Sequence, residues 1–229
     1  MNNRYLLWQR ILGWLALLMV AADVYFVFFY APTEKYMGDV QRLMYYHVAT
    51  AWNAYLAFGL VLIFSILYLW RREERFDHWA VSAAEVGVLF TTLVLITGPL
   101  WARPVWNAWW KWDDPRLTAT LILWLVYIAY LILRASIEGQ RGRRIAAVFG
   151  IIGFVDVPIV HFSVQWWSSF HPQVISSQGV NMTGEMVVTL VFTSLAFMVL
   201  FFYLLFVRVN LEKSAAAVTR LEERHFSAS

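Results

Sequence analysis

The chain has 229 residues, of which 61% are apolar, 18% aromatic and only 14% charged, and its formal net charge is +3. A soluble domain cannot hide so much apolar surface, and a mean hydropathy of +0.58 describes a chain dissolved in lipid. Cysteine is absent, which excludes disulfides, iron–sulfur clusters and every form of thiolate ligation.

A helix needs about 20 residues to cross the hydrocarbon core of a bilayer. Stretches 11–30, 48–70, 79–101, 117–133, 145–162 and 186–207 reach or approach that length. The expected fold is therefore an all-α integral membrane protein, a six-transmembrane-helix bundle making one domain over 1–229. Residues 1–10 run into the first span without a small-residue cleavage site, so that helix is expected to be retained. Basic residues cluster on one side of the predicted bundle. Arg4, Arg10, Arg71, Arg72, Arg75, Arg134, Arg141, Arg143, Arg144, Arg208, Lys213, Arg220 and Arg224 make 13 of the 18 Lys and Arg. Since such residues are retained on the cytoplasmic side, both termini and the tail 208–229 are expected there, and the loops at about 31–47, 102–116 and 163–185 face outward. The modest positive charge thus encodes topology in lipid and implies no nucleic-acid partner. No Gly-rich phosphate loop is present, so the chain carries no ATP engine of its own.

The unusual chemistry falls on the outward loops. "QRLMYYHVATAW" at 41–52 places His47 where the second apolar stretch begins. "WNAWWKWDDPRLT" at 106–118 puts four tryptophans within seven residues, followed by two aspartates, a proline and an arginine. "VHFSVQWWSSFHPQ" at 160–173 carries His161 and His171. Imidazole is the usual protein ligand of haem iron, and two imidazoles on opposite faces hold a porphyrin through its iron. A porphyrin also needs a flat apolar bed, which Trp106, Trp109, Trp110 and Trp112 can supply, with Trp166, Trp167 and Tyr46 beside the histidines. Its two propionates need fixed cations, for which Arg42, Arg103, Lys111 and Arg116 are the outward candidates. Single tryptophans at membrane interfaces are ordinarily belt residues, and Trp70, Trp79 and Trp101 read that way. His78 and His225 fall on the cytoplasmic side and read as ordinary hydrogen-bonded histidines. His161 ends the fifth stretch on the outward side, either as a ligand in place of His171 or as a residue bonded to a neighbouring backbone group.

Asp23, Glu85 and Asp156 lie within predicted spans, where an ionised group costs about 2.5–3.5 kcal/mol on insertion scales, so each is expected to face the bundle or a wet cavity. In "GFVDVPIVHF", Pro158 frees a backbone carbonyl and is expected to bend the fifth helix beneath His161. The stretch 186–207 is apolar on every face and reads as a helix with extensive lipid contact.

"LMYYHV" at 43–48, "WNAWWKWDDPRLT" at 106–118 and "PIVHFSVQWWSSFH" at 158–171 occur in this order on the predicted outward face of six helices. With these motifs the chain resembles the CcmC haem-handling proteins of bacterial cytochrome c maturation, within a superfamily known for a tryptophan-rich WWD outer loop. The resemblance covers most of the chain. It implies a haem chaperone of the bacterial cytoplasmic membrane that carries haem b transiently, as cargo, on the periplasmic face and presents it to the haem carrier CcmE. It implies axial iron ligands at His47 and His171, a porphyrin bed at Trp106, Trp109, Trp110, Trp112 and Asp113, and haem-handling basic positions at Arg42 and Arg116. The implied partners are the ATPase CcmA with its membrane partner CcmB, the small protein CcmD, and membrane lipid. Two departures stand out. Asn107 occupies a position where the family commonly has glycine, and both Asp114 and Pro115 separate Asp113 from Arg116 where the family commonly has one residue.

Other functions remain as alternatives. An electron-transferring membrane cytochrome b-like subunit expects histidines deep in its helices, whereas here they lie near one surface. A transporter moving haem through the bundle would use Asp23, Glu85 and Asp156 along its route. A purely structural subunit leaves the tryptophan loop without a purpose.

Overall fold

A computed structural model describes residues 3–137, 139–167, 169, 175–176, 179–180 and 182–228. Helix α1 (Asn3–Tyr25) ends in a π-helical turn (Phe26–Tyr30), and a 3-10 turn (Asp39–Arg42) leads into α2 (Leu43–Arg71). Helices α3 (Glu74–Trp106), α4 (Pro115–Ser136), α5 (Gly139–Gly153), α6 (Asp156–Trp166) and α7 (Gly184–Ala228) follow. Between α6 and α7, β1 (Ile175–Ser176) and β2 (Gly179–Val180) pair antiparallel with Ile175 opposite Val180. Among the described residues six segments are long and apolar enough to cross a membrane, with α5 and α6 together forming the fifth. The protein is the six-span, all-α membrane protein expected. An even number of crossings brings both chain ends to one end of the bundle. The starts of α2, α4 and α7 and the ends of α3 and α6 meet at the other.

The helices outrun the apolar stretches because capping, and not the edge of the lipid, decides where a helix stops. Glu73 is extended before α3, whose first turn carries Glu74 and Asp77 at the favourable end of the helix dipole. Arg72 ends α2 in the left-handed conformation, its N–H bonded to the carbonyl of Tyr68 at 2.8 Å. The starts shift likewise: α2 begins at Leu43, so His47 lies in the second turn of a helix and not at the end of a loop. Trp106 is the last residue of α3, so part of the expected tryptophan loop is helical. The tail beyond 207 continues α7.

The fifth span is broken. Helix α5 ends at Gly153, Phe154 and Val155 form a turn, and α6 restarts at Asp156. Pro158 then lies in the first turn of α6, where its missing N–H has no intrahelical acceptor to lose. The expected bend is thus a break just before the proline.

The core forms where α2 and α3 pack along much of their length, with α4, α5 and α7 against them. Phe58 stacks on Tyr127 with ring centroids 3.8 Å apart, and both are fully buried. Glycine is required opposite them, since a β-carbon on Gly87 would stand 2.6 Å from Phe58 Cε1. Charges within the spans meet partners across helices, as the cost of burying them demands. Thr193 donates to Asp23 Oδ1 at 2.6 Å, joining α7 to α1. Arg208 pairs with Glu85, joining α7 to α3. At the end holding the chain termini, buried Asp77 accepts from Arg134 at 2.6 Å and lies 3.5 Å from Arg143, tying α3 to α4 and α5. Asp156 leaves one buried carboxylate oxygen without a partner among the described residues.

Candidate functional site

A cavity of about 440 Å³ lies at the end of the bundle opposite the chain termini, within the size range of small-molecule sites. Helix α2 contributes His47, Trp52 and Tyr55 to its wall. Helix α3 contributes Gly98, Pro99, Trp101 and Trp106, α4 contributes Arg116 and Thr120, and α6 contributes His161. Trp110 enters from the α3–α4 connection, and Leu190 from α7 closes one side. Four elements and a loop therefore bring two imidazoles, four indoles and a guanidinium onto one space.

Local structure explains each placement. Helix α3 ends at Asn107, whose φ of 55° is the left-handed conformation that glycine and asparagine tolerate at a helix C-terminus. Asparagine is therefore a residue suited to this turn, and Arg103 donates to its side chain. Trp101 and Trp106 meet edge to face at 5.2 Å, and Trp110 meets Trp112 at 5.7 Å.

Beyond this turn Asp114, fully buried, caps α4 by accepting from the backbone N–H of Arg116 at 3.0 Å and of Leu117 at 3.1 Å. Its second oxygen accepts from Ser169 at 2.8 Å, fastening the third loop to the start of α4. Pro115 occupies the first helical position, where proline is favoured. One residue, Pro115, separates Asp114 from Arg116. Asp113, beside Asp114, is exposed. The sequence offered both aspartates either for contact with an acceptor and orientation of Arg116 or for capping α4, and the structure shows Asp114 as the cap.

Trp101 Nε1, Trp110 Nε1 and Arg116 Nε are buried and lack a hydrogen-bond partner among the described residues. Buried polar groups are almost always paired, so three such donors on residues that line one cavity set this end of the bundle apart. Arg116 Nη2 meanwhile donates to the carbonyl of His161 at 2.9 Å, which fixes the guanidinium between α4 and α6. His47 is held from behind by Thr97, 2.8 Å from its Nδ1. The donor set suits haem: imidazoles for iron, indole faces for the ring, and cationic or N–H donors for carboxylates.

The structure does not bring every expected residue to this space. His171 lies outside the described residues. Trp109 and Trp112 are 57% and 72% exposed and do not line the cavity; nor do Asp113, Trp166 and Trp167. Tyr46 packs against Phe197 of α7. Arg42 is directed at backbone: it donates to the carbonyls of Val27 and, at 3.2 Å, Ala31, to Thr33 Oγ1 at 3.0 Å and to Asp39 at 2.9 Å. It thereby satisfies carbonyls left open by the π-helical turn. Trp101, read as a belt residue, is 9% exposed and part of the wall. Its position at the end of an apolar stretch is the same signal a belt tryptophan gives. Nothing in the sequence marked Thr97 or Tyr55.

The fold and site define a six-span membrane protein with an aromatic, histidine-bearing cavity at one end. The chain belongs to the CcmC family, described as heme exporter protein C, whose pattern it matches over residues 2–224. It is 36% identical over 198 residues to heme exporter protein C of Bradyrhizobium diazoefficiens, covering 84% of this chain and 74% of that protein. It is 32% identical over 205 residues to heme exporter protein C of Haemophilus influenzae, covering 87% and 82%. A ccmC-like mitochondrial protein of Marchantia polymorpha, named for cytochrome c biosynthesis, is 33% identical over 190 residues, covering 82% and 81%.

Proposed function

We propose that this protein binds haem b as cargo at the cavity, on the periplasmic face of a bacterial cytoplasmic membrane, and delivers it to the carrier CcmE during cytochrome c biogenesis. His47 and His171 are the axial ligands, Trp106 and Trp110 bear against the ring, and Arg116 receives a propionate. CcmA, CcmB and CcmD are the partners, with nucleotide hydrolysis supplied by CcmA. The observation that carries the reading is that His47 of α2, Trp106 at the end of α3, Trp110, Arg116 of α4 and His161 of α6 line one cavity. Family membership supplies the cargo. Of the three acids a transport route would use, Asp23 and Glu85 are bonded across helices, whereas one oxygen of Asp156 and the second oxygen of Asp23 lack partners among the described residues.

The absorption spectrum of the purified protein tests this. A Soret band is expected, converted from six-coordinate toward five-coordinate in His47→Ala and His171→Ala and restored by added imidazole. His161→Ala is expected to retain the six-coordinate spectrum. A silent His171→Ala with a disrupted His161→Ala would move the second ligand to α6, and a silent His47→Ala would overturn the site.

A further inference from the structure

We infer that Thr97 is the positioning residue of His47, holding its imidazole as the tautomer that carries the proton on Nδ1 and presents Nε2 as the basic nitrogen. The inference rests on the reading of His47 as an iron ligand for its purpose, but not for its chemistry. Thr97 Oγ1 stands 2.8 Å from His47 Nδ1 and 2.7 Å from the carbonyl oxygen of Leu93, one turn back on α3. A second carbonyl, of Val94, is at 3.4 Å. A hydroxyl has one proton, and a carbonyl can only accept. The proton of Thr97 therefore goes to Leu93, so at His47 the threonine oxygen accepts. The imidazole must donate from Nδ1, which leaves the lone pair on Nε2. Three atoms thus fix the tautomer.

The surrounding backbone makes the seat close. A β-carbon on Gly98 would stand 3.4 Å from His47 Cε1, so the ring lies directly against α3. Pro99, next in sequence, has no N–H, and Gly98 and Pro99 both line the cavity with His47. The consecutive residues Thr97, Gly98 and Pro99 therefore bond one ring nitrogen, make room for the ring, and shape the wall beside it. A hydrogen bond from the non-coordinating nitrogen orients a metal-binding imidazole and raises its basicity, and its loss commonly weakens metal affinity 10- to 100-fold.

The test begins without haem. Long-range proton–nitrogen spectra of the haem-free protein with labelled histidine, assigned against His47→Gln, should show the Nδ1-protonated pattern for His47 at neutral pH. Thr97→Ser should retain it, and Thr97→Val, which keeps the shape but cannot accept, should lose it. With haem bound, Thr97→Val should retain haem about 10- to 100-fold less tightly and show a raised reduction potential, because a less basic ligand stabilises ferric iron less. Thr97→Ser should restore both. An Nε2-protonated His47 in the unsubstituted protein overturns the inference, whatever the variants do. So does a Thr97→Val protein with unchanged tautomer, affinity and potential. If instead His47→Ala leaves the haem spectrum intact while the tautomer is as stated, the ligand reading has failed and the positioning has not.

Discussion

Arg116 and His161 are joined by a hydrogen bond from the guanidinium Nη2 to the histidine carbonyl at 2.9 Å, so the start of α4 is fastened to the last turns of α6 across the cavity mouth. The Nε of the same guanidinium is buried without a partner among the described residues. One side of the fork is thus held by protein, and under the proposed function the guanidinium also meets a propionate.

Replacing Arg116 by lysine should reveal this division. A lysine supplies charge but not a planar fork, and it cannot bond the His161 carbonyl and a carboxylate with fixed geometry. Haem retention per folded protein is expected to fall severalfold in Arg116→Lys and further in Arg116→Ala, with the Soret position unchanged because the iron ligands are intact. Measuring the haem-to-protein ratio after washing checks this. Equal retention in all three proteins would remove Arg116 from the site.

The two aspartates should separate cleanly. Asp114 caps α4 and accepts from Ser169, so Asp114→Ala removes an N-cap worth about 0.5–2 kcal/mol and loosens the third loop. Its thermal midpoint should drop and its haem content with it. Asp113 is exposed, and Asp113→Ala should leave both unchanged while reducing delivery to the CcmE-type carrier. Haem bound and haem delivered are to be measured in one preparation. Proportional loss of both in Asp113→Ala would mean that this residue only helps to bind.

Arg42 was expected to meet a propionate, and its bonds suggest a different experiment. Its donors reach Val27, Ala31, Thr33 and Asp39, all within the corner between α1 and α2. Arg42→Ala should therefore cost stability, about 1.5–3 kcal/mol for a charge-assisted hydrogen bond to the backbone, without changing haem retained per folded molecule. Thermal unfolding together with the haem ratio distinguishes this from a ligand contact. Loss of haem at unchanged stability would restore the propionate role.

Arg42 also shows what a sequence conceals. The six spans were legible because their lengths of apolar residues exceed anything a soluble fold would expose. The gathering of His47, Trp106, Trp110 and Arg116 could be expected from topology, since all fall at the same end of consecutive spans. Which cation faces the cavity could not, because that depends on the unbonded carbonyls of a π-helical turn 11 to 15 residues away in sequence. Helix limits failed for a related reason: hydropathy reports lipid, whereas Asp114 and Asn107 set the ends by capping. Thr97 was invisible because a threonine in an apolar stretch ordinarily bonds its own helix, as this one also does.

The tryptophans offer the last separation. As a sequence they form one platform, but the structure divides them: Trp101, Trp106 and Trp110 line the cavity, while Trp109 and Trp112 are largely exposed. An indole in the wall holds a ring by area and stacking, so its loss should weaken retention without any defect that imidazole repairs. An exposed indole beside the cavity contributes little to holding cargo and much to contact with a partner, where tryptophan is among the residues most often decisive. Trp110→Ala and Trp101→Ala are therefore expected to lower the haem-to-protein ratio severalfold, and Trp112→Ala and Trp109→Ala to preserve it while slowing transfer to the carrier. Parallel assays of retention and transfer across the four proteins decide the matter. If Trp112→Ala loses haem as readily as Trp110→Ala, the exposed tryptophans close over the bound porphyrin, and the platform acts as one.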